Sequence, residues 1–130
     1  MPLPHVVPLY AGLLALAYIW LALRVVRLRR SRGVSLGDGT DSELLIRIRT
    51  HGNFAEYVPI SLLLLFMAEV QGAPAWLLHG LCLMLLAGRM LHMRALMLGR
   101  RGLPLRVAGM AMTFFVLGLT GIGLIGHSLL

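Results

Sequence analysis

RTHGNFAEYVP, residues Arg49 to Pro59, runs through Ile60 into SLLLLF, residues 61–66. Residues three and four apart share one face of a helix, so Arg49, Asn53, Glu56 and Tyr57 form a polar stripe that Ile60 and Leu64 continue. Beyond the stripe the chain is membrane sequence, and each charge held at the centre of a spanning helix costs about 2.5–3.5 kcal/mol on insertion scales. The stripe therefore needs partners. Two readings stand at this point. Arg49 and Glu56 pair with each other or with another helix as structural glue, or the stripe is a binding site.

The rest of the 130-residue chain has the same character. Hydrophobic residues make up 58% of it and its mean hydropathy is +0.85, far above a soluble globular domain. Crossing the hydrocarbon layer takes about 20 apolar residues. Four stretches qualify, at approximately residues 6–28, 43–70, 75–98 and 105–129. The expected fold is an all-α integral membrane protein, a four-transmembrane-helix bundle forming a single domain over residues 1–130. Little chain is left outside the bilayer, so any chemistry has to sit between helices or at their ends.

The net charge of +7 comes from twelve arginines against five acids, with no lysine. In a soluble protein that imbalance would point to nucleic acid; here the arginines gather at helix ends and report topology instead. Arg24, Arg27, Arg29, Arg30 and Arg32 close the first span, and Arg47 and Arg49 open the second. Arg94, Arg100, Arg101 and Arg106 surround the link between the third and fourth, whereas VQGAPA, residues 70–75, has none. The positive-inside rule places the first and third links in the cytoplasm and both termini on the other side. The N-terminal MPLPHVVPLY lacks the positive charge that begins a secretory signal, so the first span is expected to be retained. Cys82, the one cysteine, lies in the apolar run GLCLMLL and reads as packing.

Ala11, Ala15 and Ala22 give the first span a smooth face for close helix approach, and Tyr18 and Trp20 are expected to pack against neighbours. RRSRGVSLGDGTDSE, residues 29–43, has turn composition. Asp41 or Ser42 is the expected cap of the second helix, with Glu43 in its first turn where the helix dipole favours an anion. Pro59 removes a backbone bond and predicts a kink that opens a groove. Gln71 to Pro74 reads as a tight turn between antiparallel neighbours. In the third helix Gly80, Ala87 and Gly88 suit close packing, and Arg89 and His92 share a face. The fourth is expected to begin after Pro104 with Arg106 in its first turn, and Gly109, Gly118, Gly121, Gly123 and Gly126 read as packing positions.

Arg49, His51, Asn53, Glu56, Tyr57, Arg89, His92 and Arg106 thus fall at one depth, with Arg29 and Arg30 close by. The cations outnumber the lone carboxylate, so the set wants an anion. Arginine binds a carboxylate bidentately, Glu56 suits an ammonium, and Asn53 and Tyr57 suit amide or carboxylate hydrogen bonds. A ligand with two carboxylates and one ammonium would satisfy them. Arg100 and Arg101 read instead as reaching for lipid headgroups. His51, His79 and His92 lie on two helices without a carboxylate partner on each and give no zinc or haem site.

RIRTHGNFAEYVPISLLLL (residues 47–65), the GRMLH of the third span (residues 88–92) and the arginine opening the fourth resemble the MAPEG family, the membrane-associated proteins in eicosanoid and glutathione metabolism. The resemblance covers nearly the whole chain. Its R-x-x-x-N-x-x-E-Y-x-P pattern is specific, and the GDG turn at residues 37–39 matches the short bacterial members. It implies a homotrimer with glutathione in a groove between neighbours near the cytoplasmic face. Arg49, Asn53, Glu56, Tyr57 and Arg89 match the family's glutathione contacts. Arg106 matches the arginine that reaches over from the adjacent subunit to stabilise the thiolate, and Arg29 or Arg30 matches a second cation. His92 stands where eicosanoid enzymes carry a tyrosine, Leu96 where they carry another, and His51 where other members have glutamine; His51 and His92 join the expected glutathione contacts.

The resemblance implies a glutathione-dependent enzyme of the bacterial inner membrane, a glutathione transferase, a lipid hydroperoxide peroxidase or both, acting on apolar electrophiles with glutathione as cosubstrate and no metal. Its expected partners are glutathione, an apolar electrophile or lipid, membrane lipids and further copies of itself, with no nucleic acid. A second class is a non-catalytic glutathione- or lipid-binding membrane protein. A third, a small transporter using Glu56, is disfavoured because arginines surround that carboxylate.

Overall fold

Each of the four apolar stretches forms one long helix in the computed structural model, which describes residues 2–130. These are α1 (Val6–Arg32), α2 (Ser42–Val70), α3 (Ala75–Met97) and α4 (Leu103–Leu129), with a turn of 3-10 helix at Gly99–Gly102. All four helices are long and apolar enough to cross a membrane, and no strand occurs among the described residues. α1 packs on α2 and α3, and α4 packs on α3 and α2; α1 and α4 do not meet.

The helix ends are set by local chemistry. Asp41 caps α2, its Oδ1 accepting from the backbone N–H of Glu43 at 3.0 Å and of Leu44 at 3.1 Å. α1 runs through its basic tail and stops at Gly33, whose φ of +67° only glycine adopts without strain. Arg32 then reaches back to Asp41 (3.2 Å) and Glu43 (2.8 Å), folding the first link onto both helix ends. α4 starts at Leu103, one residue before Pro104, where a missing N–H costs the first turn nothing.

Packing is tightest between α3 and α4. A Cβ on Gly109 would lie 2.5 Å from the Gly88 carbonyl oxygen, so only glycine allows this crossing. Gly80, Gly118, Gly121, Gly123 and Gly126 correct the expectation of packing positions, for an added Cβ on any of them meets nothing within 4 Å. α4 buries a single stripe, Gly109, Thr113, Val116 and Thr120, and those other glycines lie off it. Trp20 also departs from expectation. It is 45% exposed, because α1 turns Leu14, Leu21 and Leu28 inward at seven-residue spacing and Trp20 falls beside that line. Tyr18 does pack, stacked on Phe54 with ring centroids 5.7 Å apart, and Cys82 is buried as a free thiol. α2 continues unbroken past Pro59, and a groove of about 350 Å³ opens beside it, lined by Ala11, Ala15, Tyr18, Phe54 and Pro59.

At the end away from the arginines, Glu69 in the last turn of α2 closes the start of α1. Its Oε1 accepts from the backbone N–H of His5 and Val6, each at 2.7 Å, and its Oε2 from that of Val7 at 2.8 Å. α1 has no acid in its own first turn, so a carboxylate from the next helix satisfies three of its orphan donors and complements its dipole. Tyr10 and His79, 2.9 Å apart from hydroxyl to Nδ1, join α1 to α3 near the same end. Glu69→Ala is expected to destabilise the protein by about 2 kcal/mol, the scale of hydrogen bonds to a charged group, and Glu69→Gln by less. Thermal unfolding in detergent reads this directly, and an unchanged melting temperature in the alanine variant would leave the cap without a role.

Candidate functional site

The first half of α2, the last turns of α3 and the first turns of α4 bring their polar residues to the arginine-rich end. Arg89 lies at the centre and is completely buried. It is on the inward stripe of α3 with Leu78, Leu81, Leu85, Gly88 and His92. Gly109 brings the backbone of α4 against this part of α3.

The Arg89 guanidinium ties three helices together. Its Nη2 donates to Asn53 Oδ1 on α2 at 2.5 Å. Its Nη1 donates to Thr113 Oγ1 on α4 at 3.5 Å and lies 3.7 Å from Met110 Sδ. Thr113 is free to accept because its own hydroxyl hydrogen goes to the Gly109 carbonyl at 2.9 Å. His92 Nδ1 lies 3.4 Å from Nη2, and the Phe54 ring centroid 5.9 Å from the guanidinium carbon. Arg89 Nε is buried with no hydrogen-bond partner, and no carboxylate lies within 4 Å of the group among the described residues. A buried charge is stable only when paired or well hydrogen-bonded. Here it has one short bond to a neutral amide, weak contacts and an orphan donor.

The α2 stripe divides around this group. Asn53 turns inward to Arg89, and Tyr57 meets the edge of Phe114 on α4 at 5.6 Å. Arg49 and Glu56 form an ion pair at 3.6 Å, with both side chains more than half exposed. Gly52 lies beneath the pair, its missing Cβ only 3.5 Å from Arg49 Nη1. Half-buried Asn53 therefore joins the buried Arg89 and His92 in one cluster, with Arg49, Glu56 and Tyr57 on the same helical stripe as Asn53.

The other sequence candidates lie elsewhere. His51 stacks on Tyr18 of α1 at 4.9 Å, on a different face of α2. Arg29 donates to the carbonyls of Gly37 (2.7 Å) and Val34 (3.4 Å), holding the first link closed. Arg30 and Arg106 are exposed, and neither side chain makes a hydrogen bond or an ion pair among the described residues. Thr113, Met110 and Phe54, which contact Arg89, do not stand out in the sequence. A signal for Thr113 is present, for Gly109, Thr113, Val116 and Thr120 repeat at helical spacing along an otherwise featureless apolar span. Among the described residues no three of His, Cys, Asp or Glu gather as metal ligands.

The chain is similar to the inner membrane protein YecN from two strains of Escherichia coli, 46% identical over 84 residues in each case. The match takes in 65% of this chain and 64% of the relative, so the chain spans a little under two thirds of the length of these relatives. The MAPEG family matches residues 7–126, nearly the whole of α1 through α4, and on that match the chain belongs to the MAPEG family.

Proposed function

We propose that this protein is a glutathione-dependent enzyme of the bacterial inner membrane, working as a homotrimer and using the glutathione thiol on apolar electrophiles, lipid hydroperoxides or both. The observation that carries the reading is Arg89, a buried cation with an orphan Nε and no carboxylate within reach. An anionic ligand would supply the missing counter-charge. Glutathione has two carboxylates and one ammonium, and the adjoining exposed pair offers a matching cation and anion in Arg49 and Glu56. Asn53, Tyr57 and His92 add hydrogen-bonding groups on the same side. Family membership supports the ligand class, and the name of the Escherichia coli relative supports the compartment. The positive-inside rule, applied to the arginine-rich first and third links, supports a site on the cytoplasmic side with both termini on the other.

Arg106 takes the thiolate role in this proposal. A cation beside sulfur favours the ionised form and so raises the population of the nucleophile. Conjugation then forms one carbon–sulfur bond as the electrophile's leaving group departs, or as its carbon–carbon double bond opens and the new carbanion takes a proton from water, whereas peroxide reduction turns one hydroperoxide into an alcohol and water as two thiols become a disulfide. Arg106 is exposed and unpaired within one subunit, so it serves this role for a neighbour's site, and Arg30 has a freer guanidinium than Arg29 for a second cation. That same exposure favours the alternative of a non-catalytic glutathione- or lipid-binding protein if assembly leaves Arg106 away from the sulfur. Transport of a bare cation on Glu56 is disfavoured, since it would leave Arg49 beside it without an anion.

Three outcomes test the reading. Glutathione and S-hexyl glutathione are expected to raise the melting temperature of the detergent-purified protein by mass action, and a glutathione methylated at both carboxylates is not; Arg49→Ala or Glu56→Ala should abolish the shift while leaving the oligomer intact. Arg89→Met should remove the same shift yet leave the ligand-free protein as stable or more stable by about 1–4 kcal/mol, the range seen when buried charge gives way to packed apolar side chains. A marked loss of stability there would make Arg89 structural. Arg106→Ala should keep ligand affinity within a few fold while eliminating the ultraviolet thiolate signal of bound glutathione, and an unchanged signal would move that role to another residue.

A further inference from the structure

α1 and α3 are neighbours that run in the same direction, so their arginine-bearing ends lie together. Between them is a groove of about 360 Å³ lined by Ala17, Trp20, Met90, Met93, Arg94 and Met97. Five of those side chains are apolar. Trp20, Met90 and Met97 are exposed, in helices apolar enough to span a bilayer. The one charged lining residue is Arg94, in the last turn of α3. From α1, Arg24 lies over the Trp20 ring with its guanidinium carbon 5.0 Å from the ring centroid, so a cation flanks the groove on each side.

Neither side chain has an anion within 4 Å. Arg24 and Arg94 make no side-chain hydrogen bond or ion pair among the described residues, and neither α1 nor α3 contains an acid. Glu43, on the start of α2, is held by Arg32 and Arg47. Two cations with no carboxylate within 4 Å thus stand at the mouth of an apolar slot.

We infer that this groove is a binding site for an anionic phospholipid of the leaflet on the arginine-rich side, its phosphate between Arg24 and Arg94 and one acyl chain along Trp20, Met90 and Met93. A free phosphate would satisfy the arginines and leave the slot empty. A neutral lipid would fill the slot and leave both charges bare. Only an anionic lipid does both, and basic pockets between spanning helices are the usual sites of such headgroups. The methionines suit a chain of variable shape, since their unbranched thioethers adapt to what they touch, and tryptophan belongs at the level where headgroup meets tail. Arg24 and Arg94 are not part of the proposed glutathione site, so this site stands or falls apart from it.

Native mass spectrometry of the intact, delipidated oligomer titrated with dioleoyl phosphatidylglycerol tests the site. Phosphatidylglycerol is expected to bind about tenfold more tightly than phosphatidylcholine, and millimolar glycerol 3-phosphate should not displace it. The paired substitution Arg24→Gln and Arg94→Gln should weaken binding about tenfold, and Ala17→Leu, which fills the slot and keeps both arginines, should do the same. Arg100→Gln with Arg101→Gln, which lowers the charge of the third link alone, should leave affinity within about twofold. Equal binding of the two lipids overturns the proposal, as does retention of phosphatidylglycerol by either groove variant. An equal loss in the link variant would point to diffuse surface charge, displacement by glycerol 3-phosphate to a site for free anions, and dissociation of either groove variant to a face between subunits; each of these also overturns it.

Discussion

Arg89 carries its guanidinium into the middle of a membrane bundle with no carboxylate within 4 Å, and the arrangement of α2, α3 and α4 around it answers that burden. Taking such a charge out of water costs several kcal/mol even after relaxation, which is a large part of the net stability of a domain this size. Every neighbour reduces the cost a little. Gly109 keeps the backbone of α4 hard against α3, and Thr113 spends its proton on the Gly109 carbonyl so that its oxygen faces the arginine. Asn53 offers an amide oxygen from α2. None of them cancels the charge. A leucine at position 89 would pack without such help, so the group makes most sense as part of a site completed by an anion.

The supply of acids leads to the same place. Asp38 turns the first link by accepting from the Thr40 N–H, Asp41 caps α2, and Glu43 is shared by Arg32 and Arg47. Glu56 goes to Arg49, and Glu69 to the start of α1. All five acids are engaged, and nine of the twelve arginines have no carboxylate within 4 Å among the described residues. Those nine must find anions outside the fold, in ligand, in lipid or in water. A protein built this way carries unneutralised positive charge along its whole basic end, buried at Arg89 and exposed at residues such as Arg30 and Arg106.

Helix number and the positions of the links were legible in the sequence because hydropathy over about 20 residues is a strong signal. Asp41 as the cap of α2 was one of two adjacent candidates, decided by which residue reaches the Glu43 and Leu44 amides. The polar stripe was legible as a stripe, but not its division. A helical wheel shows that Asn53 and Glu56 share a face, and only the neighbouring helices show that one is drawn inward to Arg89 while the other stays exposed. Arg29 and Arg30 are equivalent in composition; the positive φ of Gly33 and Gly37 shapes the link so that Arg29 clasps it and Arg30 does not. Glu69 lay hidden for a related reason. A capping residue is sought just before its helix, whereas the cap of α1 comes from 62 to 64 residues later in the chain.

The two charged elements of the proposed site differ in how freely they yield. An exposed ion pair such as Arg49–Glu56 contributes about 0–1 kcal/mol, so a ligand that brings its own carboxylate and ammonium can replace the partners at little cost. Arg89 is far less free, being tied to α2 through Asn53 and to α4 through Thr113, with the Phe54 ring beside it. In the proposed site, a fixed buried cation beside a pliable exposed pair would make an asymmetric receptor. The fixed charge sets where one carboxylate must go, and the pair adjusts to the remainder of the ligand. Were the arrangement only structural glue, the opposite assignment would be the stable one, with Glu56 drawn inward to neutralise Arg89 and Arg49 left to the solvent. Asn53 occupies the position that such a carboxylate would need, and a neutral amide there holds the guanidinium in place while leaving its charge for something else to meet.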